Sequence, residues 1–275
     1  MTSNKGYTFL LRAILLVVGF LSLPAMADVP FSEVKDLPYQ PFDDRHMYGE
    51  DPHQFAEYWQ AKPGAPLVFL IHGGCWLNAF DLSHARPLAS ALAKRGLAVL
   101  SIEYRRVGDL GGGWPGTFDD ISAAIENAKS LGHNNIFVAG HSAGGHLALW
   151  LAATHQIPEI KGVIGLAAIS DLETYAEGTS SCEQATVKLL GGLPDAVPER
   201  YAFASPLLIK PYKPILLIHG DADSIVDIHQ SEQFLERHGN VDIRILKAKG
   251  HFDMIDPRQE VPNLIDETIQ RWLMP

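Results

Sequence analysis

The chain predicts an α/β fold, a mainly parallel sheet with helices on both faces and a small lid inserted near one end. Three observations carry this expectation. Short continuous apolar runs such as Leu67–Ile71 alternate with amphipathic or Ala/Leu-rich stretches, the pattern of strands buried on both faces between covering helices. The 275 residues, 47% hydrophobic and 20% charged, suffice for one sizeable domain and are short for two. The alternation breaks only once after it begins, over residues 171–211, where the polar patch Glu177-Gly178-Thr179-Ser180-Ser181, a short helical run and several prolines intervene.

Residues 1–27 read as a leader. Lys5 and Arg12 give a basic start, Ala13 to Leu23 form an apolar run, and Ala25-Met26-Ala27 is an A-x-A cleavage site. That pattern predicts a secretory signal peptide cleaved after Ala27, with export to the periplasm or medium. The apolar run is shorter than a bilayer span requires, an uncleaved anchor being the alternative. Loss of the leader takes the formal charge from −10 to −12, which argues against nucleic acid or an anionic membrane as partner.

Residues 28–64, rich in Pro, Asp and aromatics, read as an N-terminal arm with at most a short edge strand, ahead of a domain over 65–275. Within the domain, Leu67–Ile71 is the first buried strand. A helix follows over about Ala85–Arg95, closed by Gly96, then a strand over Leu97–Glu103. A second helix spans about Phe118–Leu131, with Thr117 and Asp120 at capping-box spacing and Gly132 ending it. Strand 135–139, helix 145–153 and strand 162–169 come next. After the lid at 171–211, strand 215–219, helix 230–238, strand 242–246 and a closing helix from about Leu264 to Leu273 complete the series.

Gly140-His141-Ser142-Ala143-Gly144 is a full G-x-S-x-G between a predicted strand and a predicted helix. A serine on such a tight turn is held exposed at the sheet end, where the helix N-terminus favours developing negative charge. A hydroxyl becomes a useful nucleophile only when a base takes its proton, and the base works best when a carboxylate fixes its tautomer. His219-Gly220-Asp221-Ala222-Asp223 follows an apolar strand and offers Asp223 as that acid, with Asp221 and the more remote Asp227 as alternatives. Gly250-His251-Phe252 follows the last strand and makes His251 the candidate base; His141, His219 and His238 read as structural, and His229 as a helix cap. A neutral histidine base implies activity falling below roughly pH 6–7.

A tetrahedral oxyanion needs amides aimed at it. His72-Gly73-Gly74-Cys75-Trp76 follows the first strand, and Gly73, Gly74 and Ala143 are the candidate donors. Trp76, Trp114 and His141 are candidate substrate contacts. Gly111, Gly113 and Gly116 satisfy G-x-G-x-x-G literally, but Pro115 removes a donor and no acid lies about 20 residues on, so a loop at the pocket rim is expected instead of a dinucleotide site. No metal motif is present and no cofactor is expected. Cys75 and Cys182 are the only cysteines. Either they bridge, pinning the lid beside the His72–Trp76 loop, or both are free buried thiols.

Taken together, His72-Gly73-Gly74-Cys75-Trp76, Gly140-His141-Ser142-Ala143-Gly144-Gly145-His146-Leu147, His219-Gly220-Asp221-Ala222-Asp223 and Gly250-His251-Phe252 resemble the α/β-hydrolase superfamily across residues 65–275. The H-G-G-x-W loop paired with G-H-S-A-G-x-H-L is similar to the kynurenine formamidase (arylformamidase) and esterase/lipase branch. The two downstream motifs are also similar to the catalytic domain of prolyl-oligopeptidase-type peptidases. The resemblance implies an α/β-hydrolase fold, with Ser142 as nucleophile, Asp223 as orienting acid and His251 as base. Gly73, Gly74 and Ala143 would supply the oxyanion amides, and the substrate would be a small-molecule ester, aryl amide or formamide. Two other readings are a small exported peptidase and a non-catalytic binding protein on the same fold.

Overall fold

A computed structural model describes residues 1–2, 28–239 and 241–274. The expected leader, apart from its first two residues, lies outside the described residues. The remaining chain runs α1 (Phe31–Lys35), β1 (Asp44–Met47), β2 (Phe55–Trp59), β3 (Leu67–Ile71), α2 (Arg86–Ala93), β4 (Ala98–Ile102), α3 (Gly116–Lys129), β5 (Ile136–His141), α4 (Ala143–Thr154) and β6 (Ile160–Leu166). Three short helices follow, α5 (Leu172–Ala176), α6 (Ser181–Leu190) and α7 (Pro198–Ala204). Then come β7 (Ile215–Gly220), α8 (His229–His238), β8 (Asp242–Leu246) and α9 (Val261–Leu273).

The eight strands form one sheet in the order β1-β2-β4-β3-β5-β6-β7-β8. From β4 to β8 every pairing is parallel, whereas β1–β2 and β2–β4 are antiparallel. Alternating residues of one strand enter different cores, as pleating requires. Leu67, Phe69 and Ile71 pack in one apolar cluster, while Val68 and Leu70 pack in the other. The first cluster includes α3 and α4 and the second α2 and α9, so helices cover both faces.

The arm departs from expectation. It contributes a helix and two strands, and β2 pairs with β4 in the body of the sheet. Glu57 shows why so polar a segment can enter: its buried carboxylate accepts from Arg86 at 2.8 Å and from Arg45 at 2.9 Å.

The expected capping box on α3 is also absent. The helix begins at Gly116. The Thr117 hydroxyl donates to the Arg105 carbonyl at 2.6 Å and accepts from the Gly113 amide at 3.0 Å. Asp120 instead takes the Arg105 guanidinium and backbone amide and the Gln54 amide. A carboxylate able to pair with a cation gains more from that contact than from its own helix end. Helix α4 likewise starts two residues early, at Ala143, and carries Gly144 and Gly145 inside it.

Candidate active site

Ser142 stands between β5 and α4 with φ 56° and ψ −120°, a conformation that costs a non-glycine residue of order 1–3 kcal/mol. Its neighbours over-determine it. The Ser142 amide donates to the Leu166 carbonyl at 2.8 Å, and the His146 amide donates to the Ser142 carbonyl at 2.9 Å. The glycines of the motif are demanded by space: a Cβ on Gly140 would fall on the Gly144 carbonyl, and one on Gly144 would strike the carbonyls of Ile71 and His72. Helix α4 can therefore press its N-terminus against the ends of β3 and β5.

His251 and Asp223 arrive from two further strand ends. Asp223 lies in the loop after β7 and His251 in the loop after β8, and His251 Nδ1 donates to Asp223 Oδ2 at 2.7 Å. The remaining acceptor capacity of Asp223 is filled, since Oδ1 accepts from the Ile225 and Val226 amides at 2.9 Å each. Burial pushes this carboxyl upward, but the bonds from His219, His251 and the Val226 amide outweigh it and hold it far below the usual carboxylate range. Asp223 therefore stays ionised. Its bond to Nδ1 leaves Nε2 of His251 as the free acceptor.

The two alternative acids have other partners. Asp221 is at the surface, paired with Lys247 at 3.0 Å and accepting from the Ala248 amide at 2.7 Å. Asp227 accepts from the His229 amide at 2.8 Å at the start of α8, so the acid caps the helix and His229 does not.

A cavity of about 230 Å³ opens onto both Ser142 and His251. Gly74, His141 and the Cys75–Cys182 disulfide line it, with Phe31, Phe80, His84, Ile225 and Phe252 completing an apolar wall. The bridge selects the first of the two cysteine arrangements and ties α6 to the loop after β3. Gly73 abuts the site: a Cβ there would lie 2.8 Å from the His141 carbonyl and 3.1 Å from Ser142 Cβ. Gly74, at φ 106°, has no room either, because a Cβ would meet Phe80 at 2.5 Å. Ala143 is the first residue of α4, so its amide has no intrahelical acceptor.

Behind this loop, Glu103 accepts from the Leu82 amide at 2.9 Å, the Tyr104 amide at 3.1 Å and His72 Nε2 at 3.0 Å. It braces the loop from the end of β4.

The three expected substrate contacts separate. His141 lines the cavity, its Nε2 donating to the His251 carbonyl at 3.0 Å. Burial, reinforced by the neighbouring His251 and His84, holds His141 well below its ordinary range and therefore neutral. Trp76 is fully buried, its indole N–H donating to His146 Nδ1 at 3.1 Å, and it does not line the cavity. Trp114 lines a different cleft, edge-on to Phe203 with centroids 5.0 Å apart.

Sequence reasoning missed most of the cavity wall. Phe252 was within reach as the neighbour of His251, whereas Phe31, on α1 near the start of the arm, carried no local signal. Its ring meets Phe252 at 5.3 Å, His84 at 5.5 Å and Phe80 at 5.6 Å.

Known proteins share this architecture. Esterase B from Lactobacillus rhamnosis superposes with a TM-score of 0.70 at 21% identity, covering 85% of this chain and 89% of its own. At that identity the likeness concerns the fold. Esterase LipC of Mycobacterium tuberculosis is 29% identical over 253 residues, which is 79% of this chain and 62% of LipC. The kynurenine formamidase of Danio rerio is 28% identical over 120 residues, 41% of this chain and 40% of that protein. The chain thus spans less than two thirds of the length of these curated relatives. The BD-FAE family profile matches residues 58–237, from β2 through α8, a span that holds the Ser142 turn, the glycine loop, Asp223 and the disulfide. On that match the chain belongs to the BD-FAE family, in the esterase and formamidase-like branch of the α/β-hydrolases.

Proposed function

We propose that this protein is an exported serine hydrolase of carboxylic esters that works through an acyl-enzyme. One observation carries the reading: His251 is oriented by the buried, ionised Asp223 at 2.7 Å and opens onto the same apolar cavity as Ser142, whose backbone is strained into a sharp turn. In the reaction Ser142 Oγ attacks the substrate carbonyl carbon while His251 Nε2 takes its proton. The carbonyl π electrons move to oxygen, which the amides of Ala143, Gly73 and Gly74 receive. Collapse expels the alcohol, protonated by His251, and leaves an ester on Ser142. Water, deprotonated by the same histidine, attacks that ester and releases the acid and free Ser142.

The apolar, aromatic-walled cavity supports small or flat acyl groups over long chains. A second reading, cleavage of an aryl formamide, is favoured by the similarity to kynurenine formamidase over 120 residues. Turnover of p-nitrophenyl acetate, p-nitrophenyl octanoate and N-formylkynurenine tests both. Fast acetate hydrolysis is expected, and Ser142→Ala should lower it by several orders of magnitude without changing the melting temperature. A Ser142→Ala protein as active as the parent refutes the mechanism. Ser142-dependent turnover of the formamide above that of the esters selects the second reading.

A further inference from the structure

One wall of the Ser142 cavity does not come from the loops at the strand ends. Phe31 stands on α1 near the start of the arm, and among the described residues it is the only one the arm contributes to the lining. It also lies outside residues 58–237, the span shared with the family. Its ring closes an aromatic corner, edge-on to Phe80 and His84 and tilted against Phe252. Phe80 and His84 follow β3, and Phe252 follows His251. The Phe31 ring therefore spans from the glycine-loop side of the cavity to the histidine side.

Contacts other than the ring hold α1 in place. Val34 is fully buried in the second apolar cluster, and Glu33 pairs with Arg258 at 2.6 Å. Asp253 Oδ2 accepts from the Gly250 amide at 2.9 Å and meets the Val29 amide at 3.5 Å, which ties the arm to the loop that carries His251. The helix is five residues long without a side-chain cap, so these tertiary contacts hold it and not helix propensity. The half-buried Phe31 ring is left to serve the cavity.

That cavity is small. Its volume of about 230 Å³ falls below the roughly 300–1,000 Å³ of most ligand sites. A wall the size of a phenyl ring then decides how long a chain fits. We propose that Phe31 is a specificity-determining residue, the end wall that limits the length of the unbranched apolar chain, acyl or alkyl, held beside Ser142. The inference rests on the ester-hydrolase reading and adds to it the residue that sets substrate size. Truncating the ring opens the corner to further methylenes, which gain by leaving water, whereas an indole in its place fills the corner.

The test is the ratio of kcat/KM for p-nitrophenyl octanoate to that for p-nitrophenyl acetate, with octyl and methyl acetate as the alcohol-side pair. In Phe31→Ala at least one ratio should rise by about tenfold or more, and in Phe31→Trp the same ratio should fall. A ring that only packs α1 would change the melting temperature and leave both ratios unmoved, which overturns the proposal. If neither pair shows Ser142-dependent turnover, the ester reading fails, and the wall is judged by calorimetric titration of 1-octanol into Ser142→Ala with and without Phe31→Ala. Binding tightened by about tenfold in the double variant upholds the wall, and equal binding overturns it.

Discussion

At the scale of single residues, Asp223 illustrates how environment decides between neighbouring acids. Asp221 and Asp223 are two apart in one loop, but Asp223 alone is buried, saturated with amide donors and bonded to His251. In Asp223→Asn the amide oxygen can keep the Ile225 and Val226 amides, which turns its NH₂ toward His251 Nδ1. That arrangement forces the proton to Nε2 and removes the base. The expected loss in kcat is about 10⁴-fold, measured on p-nitrophenyl acetate, whereas Asp221→Asn should lose little. A rate within tenfold of the parent for Asp223→Asn would remove this acid from the mechanism. Because hydrogen bonding keeps the Asp223 carboxyl far below its ordinary range, acidifying an assay into the pH 5 region does not neutralise it.

At the scale of elements, the helical segment over 171–211 is held from two sides. The Cys75–Cys182 bridge ties α6 to the glycine loop across 107 residues of sequence. His146 reaches the end of α7, its Nε2 donating to the Ala204 carbonyl at 2.8 Å. A disulfide typically stabilises a fold by about 2–4 kcal/mol, and a loop of this length places it at or above the upper end of that range. Since the bridge also lines the cavity, Cys182→Ser in a Cys75→Ser background should lower the melting temperature and raise KM for p-nitrophenyl acetate. Matching values in the bridged and unbridged proteins would show that the bridge neither supports the fold nor shapes the cavity. The arm is the other element that reaches the site. Phe31 is placed by α1, which the Glu33–Arg258 ion pair at 2.6 Å ties to the loop after His251.

At the scale of the whole molecule, several histidines are stored neutral in the interior. Burial, and the proximity of His72, lower His84 to about 3. Burial lowers His146 to about 4, and His141 is held well below its ordinary range. In the unfolded chain each would take up a proton near pH 6.5. The unfolded state therefore binds more protons below that pH, and stability falls as pH falls from about 6.5 toward 4. With three such groups, urea unfolding should show a loss on the order of 5 kcal/mol between about pH 7.5 and pH 5. A midpoint unmoved over that interval would mean that these side chains are solvated or paired when protonated.

The order of strands and helices was legible in the sequence because periodicity, glycine stops and apolar runs act within a few residues. Strands 67–71 and 242–246 have the bounds read from it, and the strand–serine–helix arrangement at 140–144 is likewise a local pattern. The tertiary structure alone decided matters that hang on distant partners. It placed two arm strands in the sheet, because Glu57 finds two arginines. It put Phe31 in the Ser142 cavity and joined Cys182 of α6 to Cys75. It buried Trp76 against His146 and sent Trp114 to a second cleft, although both read as substrate contacts. A side chain's neighbours across the fold are set by packing of whole elements, and no window of sequence contains them.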